Sequence, residues 1–456
     1  MTRVLLQRLT WRWSTLVGCE SLIIVGALMT ALRLQLGGAE STGASTLSKV
    51  MLVALICQAC LYCRDLYDIK QLRNKGELIA RVLQALGAMA VVLALVYVLL
   101  PPLIIAPGVA SLAAVLALVA ITSWRVVFTW VARLVPPGER LLVVGTSAAA
   151  VGLAREMQAS WDGINIVGFV DSDGRDASAS EVPIIGTIED VPAIVRARAV
   201  DRVVVSLADA RGKLPMDKLL EMKLDGVSFA HLASVYEEYM GRIAVENLRP
   251  SWLIFSEGFR KTRLLLALKR TCDVVFAGIA IVIALPLMAA VALAVKLTSP
   301  GPVVYRQRRV GLQGRVFTLR KFRSMTANAE ANGAVWAASA DPRVTPLGRI
   351  LRKTHLDELP QLWNILKGDM SLVGPRPERP EFVTSLSRDI PFYGQRHIVR
   401  PGLTGWAQVC QAYASSVDDT MEKLQYDLFY IKNMSIGLDF YIAIRTIKIV
   451  LQGRGI

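Results

Sequence analysis

A membrane protein in three parts is predicted: an N-terminal four-helix transmembrane bundle, a Rossmann-like α/β middle domain, and a re-entrant membrane helix leading into a second α/β domain. Three observations predict it. Four apolar stretches crowd the first third of the chain, strand patterns alternate with helical ones between Arg140 and Leu224, and a fifth apolar run lies between clusters of cations. The boundaries drawn from these patterns are 1–135 for the transmembrane helices, 136–258 for the Rossmann-like domain, 259–302 for the linker and re-entrant helix, and 303–456 for the C-terminal domain.

The four stretches, Thr15 to Leu32, Leu47 to Cys63, Val82 to Leu100 and Leu103 to Trp124, each approach the roughly 20 apolar residues a bilayer core requires. Arg3, Arg8 and Arg12 precede the first, Arg64, Lys70, Arg73, Lys75 and Arg81 follow the second, and Arg125, Arg133 and Arg140 follow the fourth. The intervening connections carry almost no charge, so the basic sides are expected to be cytoplasmic. Lys49 is expected to reach toward the interface, and Glu20, within the first stretch, to face neighbouring helices.

The alternation comes from RLLVVG at Arg140, INIVGFV at Ile164 and RVVVSL at Arg202, with helical patterns at Ala149 to Gln158, Ile188 to Ala199 and Pro215 to Leu224. It predicts a small parallel sheet covered by helices. After the first strand, Gly145 is followed by Thr146, Ser147 and three alanines, so two of the three glycines of a dinucleotide fingerprint are missing. Asp171 is a candidate ribose acid, but a structural or regulatory module is the preferred reading.

The fifth run, Val274 to Val295, has Arg260, Lys261, Arg263, Lys269 and Arg270 before it and Lys296, Arg306, Arg308 and Arg309 after it. Cations on both flanks, with Pro286 near the middle, predict a helical hairpin that enters and leaves the same face.

The chemistry is expected in LRKTHLDELPQLWNILKGDM, where Leu359, Leu362, Trp363 and Leu366 recur at helical spacing and Gly368 ends the pattern. Asp357 and Glu358 are then expected to open a helix, in an acidic pair set among Arg349, Arg352, Lys353, Lys321, Arg323 and Arg376. So many cations beside two carboxylates suit a site that handles a diphosphate, with Mg²⁺ the expected ion. VVYRQRRVGLQGRVFTLRKFRSM reads as a β-hairpin turning at Gly311 to Gly314, with Lys321 and Arg323 on one strand face, and Arg376 stands between prolines that fix its backbone. Asp341 and Arg343 read as a bracing ion pair, and GLTGWA at Gly402 as a turn carrying an interfacial Trp406. The net charge of +15 is accounted for by anionic lipid and phosphorylated substrates rather than nucleic acid.

From Lys269 onward, KRTCD, SPGPVVYRQRRVG, KFRSM, DPRVT, LDELPQLWN, KGDMSLVGPRP and RPGLTGWAQV follow one another over about 190 residues. In these the chain resembles the bacterial sugar transferases, the monotopic polyprenyl-phosphate glycosyl-1-phosphate transferases. The overall layout is similar to the large exopolysaccharide-type members, and ERPEF with KLQYDLFYIKNMS looks closest to the branch associated with exosortase (PEP-CTERM) clusters. The resemblance implies transfer of sugar 1-phosphate from a UDP-sugar to undecaprenyl phosphate, releasing UMP, as the first step of exopolysaccharide or capsule repeat-unit assembly. It implies Asp357 as the nucleophile that forms a covalent phosphosugar, Glu358 as the Mg²⁺-associated residue, Lys321 and Arg352 as basic site residues, and Arg376 as a phosphate or nucleotide grip, while Arg323 is added as a substrate-binding candidate from its place beside Lys321 on the strand face. One departure is QAYASS after WAQVC, where relatives carry a Tyr and a Gly. Which sugar is carried and the oligomeric state, a homodimer included, are left open.

Two other readings fit parts of the chain. A membrane scaffold or sensor would bind nucleotide through the middle domain without turnover. A membrane-bound nucleotide-sugar dehydratase would need an intact glycine fingerprint and a Tyr-x-x-x-Lys pair, and no tyrosine here has a lysine four residues on.

Overall fold

Four long apolar helices, α1 (Trp11–Leu36), α2 (Ala44–Cys63), α3 (Lys75–Leu99) and α4 (Pro107–Leu134), build the first of two units into which the chain divides, Thr2–Pro136 and Pro137–Ile456. The computed structural model describes residues 11–36, 44–67, 75–105, 107–134, 139–160, 164–171, 183–206, 216–245, 256, 258–326, 329, 341–411 and 417–452. Of the flanking cations, Arg3, Arg8, Lys70 and Arg73 lie outside these residues, as do positions 412–416 of the QAYASS loop.

Each of the four helices is long and apolar enough to cross a membrane. The fourth starts later than expected. Pro101 and Pro102 hold a 3₁₀ turn (Pro101–Leu103), and the helix opens at Pro107, a first position at which proline forfeits no helical bond. Glu20 is fully buried and does face its neighbours: its carboxylate takes Arg125 in a two-point pair at 2.6 and 2.9 Å and the Tyr67 hydroxyl at 2.7 Å, while Arg125 also donates to the Leu66 carbonyl. Inside an apolar bundle such charges persist only when every one of them is answered. The cluster ties α1, α4 and the turn after α2.

In the second unit, β1 (Glu139–Val144), β2 (Ile164–Asp171), β3 (Ile184–Thr187), β4 (Arg202–Val205) and β5 (Ser228–His231) form an all-parallel sheet in the order β3-β2-β1-β4-β5. Its helices are α5 (Ala148–Ser160), α6 (Val191–Arg198), α7 (Met216–Leu224) and α8 (Leu232–Met240). Leu141 and Val143 pack with Met157 of α5 and Val235 of α8 on one face, and Leu142 and Val144 with Val195 of α6 and Met222 of α7 on the other. This is the doubly wound Rossmann arrangement. β3 and β5 are additions to the three strands expected. β4 is equally short but carries the β-branched run RVVV, whereas IIGT and SFAH offer no such run.

The fifth apolar helix, α9 (Arg263–Thr298), is a single uninterrupted helix of 36 residues with Pro286 inside it, so the expected two-helix hairpin is absent from the secondary structure. It leads to the antiparallel hairpin β6 (Val304–Val310) and β7 (Val316–Phe322), which turns where predicted. Next come α10 (Pro346–Lys353), α11 (Gln361–Lys367), β8 (Ser371–Val373), α12 (Pro380–Asp389), β9 (Gly402–Thr404), α13 (Trp406–Cys410), α14 (Val417–Asn433) and α15 (Ile436–Leu451). β8 and β9 pair in parallel.

Trp406 is not interfacial. It is 2% exposed, packs near Phe429 and Tyr441, and its Nε1 donates to the Gly241 carbonyl at 2.7 Å. Gly241 ends α8 in the left-handed conformation (φ 65°), a C-cap that favours glycine. Lys432 to Glu237 (2.6 Å), Arg242 to Glu422 (2.6 Å) and the Ile243 amide to the Gln425 carbonyl (3.2 Å) complete this seam between the Rossmann-like part and α14. We predict that Trp406→Phe, which keeps the ring but strands the buried carbonyl, lowers unfolding stability by about 1–3 kcal/mol, measurable as an earlier thermal transition of the detergent-solubilised protein.

Candidate active site

Two local devices set the acidic pair. Thr345 caps α10, its Oγ1 accepting from the Gly348 amide at 2.9 Å, and Gly348 sits so close to the Ser324 carbonyl that a Cβ would collide. α10 is thereby held against the chain leaving β7. After α10, His355 takes a left-handed conformation (φ 55°) and reverses the chain into the 3₁₀ turn Leu356–Glu358. The pair therefore does not open an α-helix as expected. Pro360 has no N–H to donate to the Leu356 carbonyl, so the segment closes with three-residue bonds, Glu358 to His355 and Leu359 to Leu356, and α11 begins only at Gln361.

Asp357 and Glu358 are both buried, at 6% and 9% exposure. Glu358 Oε1 accepts from Lys321 Nζ at 2.7 Å and from Arg376 Nη2 at 3.0 Å. Burial alone would push this carboxyl up, but Lys321 and Arg376 outweigh it and hold Glu358 far below the usual carboxylate range. Asp357 goes the other way. Burial pushes it up, Lys321 pulls it down, Glu358 pushes it up again, Arg376 and Arg352 pull it down, and the balance lies above the ordinary value. Two neighbouring carboxyls moved in opposite directions can take different chemical roles. Among the described residues no three His, Cys, Asp or Glu side chains converge. The donor set is two hard carboxylates, oxygen ligands of the type that suits Mg²⁺.

Of the basic residues expected here, the structure brings together Lys321 and Arg376, with Arg352 near enough to act on both Asp357 and Asp341. Arg323 is not gathered with them. Its guanidinium donates to the Ser299 carbonyl (2.7 Å), Ser299 Oγ (2.8 Å) and the Pro302 carbonyl (2.6 Å), fastening the C-terminal end of α9. A side chain one residue past the end of β7 is free of the strand's alternation, and the carbonyls of a helix end attract it. Asp341 and Arg343 form the expected pair, at 2.6 and 2.8 Å, and the arginine holds Asp341 down at about 2.

Arg376 owes its place to a buried network that sequence reasoning missed. Arg396 Nη2 donates to the Arg376 carbonyl (3.0 Å) and to Asp427 (2.8 Å), and Nη1 donates to the Tyr393 hydroxyl (2.6 Å). Glu378 accepts from Lys423 at 2.6 Å, and β6 binds the same loop through the Val310 amide to the Glu378 carbonyl (2.9 Å) and Arg309 to the Pro377 carbonyl (2.9 Å). Burial opposes ionisation of Glu378, yet Lys423, Arg396 and Arg309 together bring it down to about 2. One signal was available: Asp427 interrupts the apolar series Leu424, Leu428, Ile431 on one helix face, and an acid there requires a partner.

α9 is bound to the same domain at both ends. Lys269 reaches the Val373 carbonyl (3.0 Å) and Asp439 (2.6 Å), Asp273 accepts from Ser371 Oγ and the Leu372 amide (3.0 Å each), and Arg270 caps α11 through the Ile365 and Leu366 carbonyls. Ala277 joins one core cluster with Leu319 and Leu362, Val291 and Val295 join another with Phe322 and Leu351, and Leu359 packs against both.

The sequence profile of the bacterial sugar transferases matches residues 264–453, and that of a CoA-binding domain matches 63–219. A Caulobacter vibrioides UDP-glucose:undecaprenyl-phosphate glucose-1-phosphate transferase is 43% identical over 185 residues, 40% of this chain and 69% of that protein. The chain belongs to the bacterial sugar transferase family. It is also similar to a UDP-N-acetylgalactosamine-undecaprenyl-phosphate N-acetylgalactosaminephosphotransferase of Aeromonas hydrophila, 47% identical over 49% of this chain and 52% of the relative. A UDP-glucose:undecaprenyl-phosphate glucose-1-phosphate transferase of Xanthomonas campestris pv. campestris is 34% identical over 69% of this chain and 66% of its own length. The match thus spans about half of the Aeromonas relative and just under two thirds of the Xanthomonas one. Within the family segment lie the acidic pair, Lys321, Arg352, Arg376 and the whole Arg396 network.

Glu378→Gln is predicted to destabilise the protein by about 3–5 kcal/mol at neutral pH, since it leaves Lys423 and Arg309 facing a neutral group in a buried place. Glu378 is held below its ordinary 4.5, so its contribution is complete above that value and lost as pH falls toward about 2. The gap between variant and wild type in thermal unfolding should therefore close across that window.

Proposed function

We propose that this protein transfers sugar 1-phosphate from a UDP-sugar to undecaprenyl phosphate, through a covalent phosphosugar on Asp357, at the cytoplasmic face of a bacterial inner membrane. The observation that carries the reading is the divided acidic pair. Glu358 is locked as an anion by Lys321 and Arg376, while Asp357, one residue away, keeps a raised and hence more basic carboxylate, with no cation among the described residues bonded to it in the same way.

In the first step an Asp357 oxygen attacks the β-phosphorus of the donor, the bond from that phosphorus to the bridging oxygen breaks, and UMP leaves with that oxygen. In the second, a phosphate oxygen of the polyprenyl acceptor attacks the phosphosugar and returns the Asp357 carboxylate. Lys321, Arg376 and Arg352 offset the repulsion between the anionic nucleophile and the diphosphate. Glu358 with Asp357 would hold Mg²⁺, which would supply further neutralisation of phosphate charge. The family relatives act on different sugars by name, so membership supports the reaction class and not a particular hexose.

The course of α9 supports a re-entrant membrane segment. A straight helix of its 36 residues would run to about 54 Å, well past a hydrocarbon core of roughly 30 Å. Its two ends nevertheless bind one globular domain, and Val282, Ile283 and Leu285 around Pro286 are 73%, 73% and 60% exposed. Pro286 leaves the Val282 carbonyl without its helical donor, a point at which the helix can bend and return.

The test is incubation with a panel of UDP-sugars, undecaprenyl phosphate and Mg²⁺, scoring UMP. Wild type is expected to release UMP with at least one donor, Asp357→Ala to lose on the order of 10³-fold or more, and chelation to stop the reaction until Mg²⁺ returns. Equal rates for wild type and Asp357→Ala would refute the mechanism. Asp357 must be ionised to attack, so kcat/KM should fall on acidification at a pH above that of an ordinary aspartate. Arg352→Gln removes a cation that lowers this carboxyl, and the acid limb of the profile should move to higher pH.

A further inference from the structure

Gln361, the first residue of α11, is 3% exposed, yet its Nε2 has no hydrogen-bond partner among the described residues. An amide buried without a partner costs stability, and a methionine or leucine would fill the same space without that cost. The residues around it fix where it faces. Three positions before it, Glu358 bonds Lys321 of β7 at 2.7 Å; three positions after it, Asn364 donates to the Thr318 carbonyl (2.8 Å) and accepts from the Arg320 amide (3.2 Å) of the same strand. Residues three apart share a face in both a 3₁₀ turn and an α-helix, so Gln361 lies with Glu358 and Asn364 on the side turned to β7, between the Asn364 clamp and the acidic pair. Trp363, on the opposite face, is 54% exposed.

An unused N–H donor in that place calls for an acceptor that arrives with the substrate. We propose that the Gln361 carboxamide is a catalytic residue, donating to a non-bridging oxygen of the phosphoryl group that Asp357 attacks. The proposal rests on the transferase reading above and adds to it a neutral donor that strengthens its bond as charge builds on that oxygen. No base or extra reactant is required, because the amide gives up no proton.

The experiment compares full-length wild type, Gln361→Met, Gln361→Glu and Asp357→Ala in nanodiscs. Each receives the active UDP-sugar and its two β-phosphorothioate diastereomers, in which sulfur, a weak acceptor, replaces one non-bridging oxygen. Gln361→Met is expected to lose on the order of 10²-fold in kcat while its thermal unfolding stays level or rises, and Gln361→Glu to lose more, since a carboxylate repels the phosphate. Wild type should discriminate against sulfur in one diastereomer by on the order of 10- to 100-fold, and Gln361→Met should have lost most of that discrimination. Gln361→Met within twofold of wild-type kcat, or slowed equally on oxygen and sulfur, overturns the proposal. Failure of the underlying reading shows separately. An Asp357→Ala as active as wild type removes the nucleophile while Gln361→Met still decides the amide, and a wild type that releases no UMP from any donor removes both.

Discussion

The clasp of Glu358 by Lys321 and Arg376 is the interaction on which the rest of the site depends. Two carboxyls on adjacent residues, both buried, cannot ionise together unless one of them is neutralised from outside. The clasp does this with one cation from the β6–β7 hairpin and one from the proline-bracketed loop after β8, so three segments distant in sequence are joined at one oxygen. Asp357 then stands beside a settled anion, and its own charge is shaped by a field rather than by a bond. Were the clasp absent, two adjacent buried carboxyls would be left to oppose each other's charge.

Around the clasp, the surrounding charges act as framework. Arg396 with Asp427, and Glu378 with Lys423 and Arg309, fix the backbone on either side of Arg376. Arg323, Lys269, Arg270 and Asp273 secure the apolar helix to the domain that carries the pair. Buried ion pairs of this kind add little net stability over apolar packing, but removing a single member is costly, so they hold one geometry in preference to its neighbours.

Much of this was legible in the sequence because it is local. The apolar spans, the β6–β7 hairpin and the acidic pair each show in a dozen or so consecutive residues. What escaped depended on contacts between distant residues or on a single backbone atom. Pro360 decides against an α-helix through the pair because one N–H is missing. Arg323 follows Lys321 at strand spacing and yet turns to a helix end, since nearby free carbonyls outcompete the alternation. Trp406, in a glycine-rich turn of a membrane protein, suggested an interface, whereas the carbonyl it bonds lies 165 positions earlier. The partners of Arg396 are spread from Arg376 to Asp427, with no periodicity to betray them.

Leu359 gives the architecture one more property. It is the neighbour of Glu358 in the chain, and it rests against the cores formed by both arms of the proline-containing helix. The turn that carries the acidic pair therefore rests at once on the stretch of that helix before Pro286 and on the stretch after it.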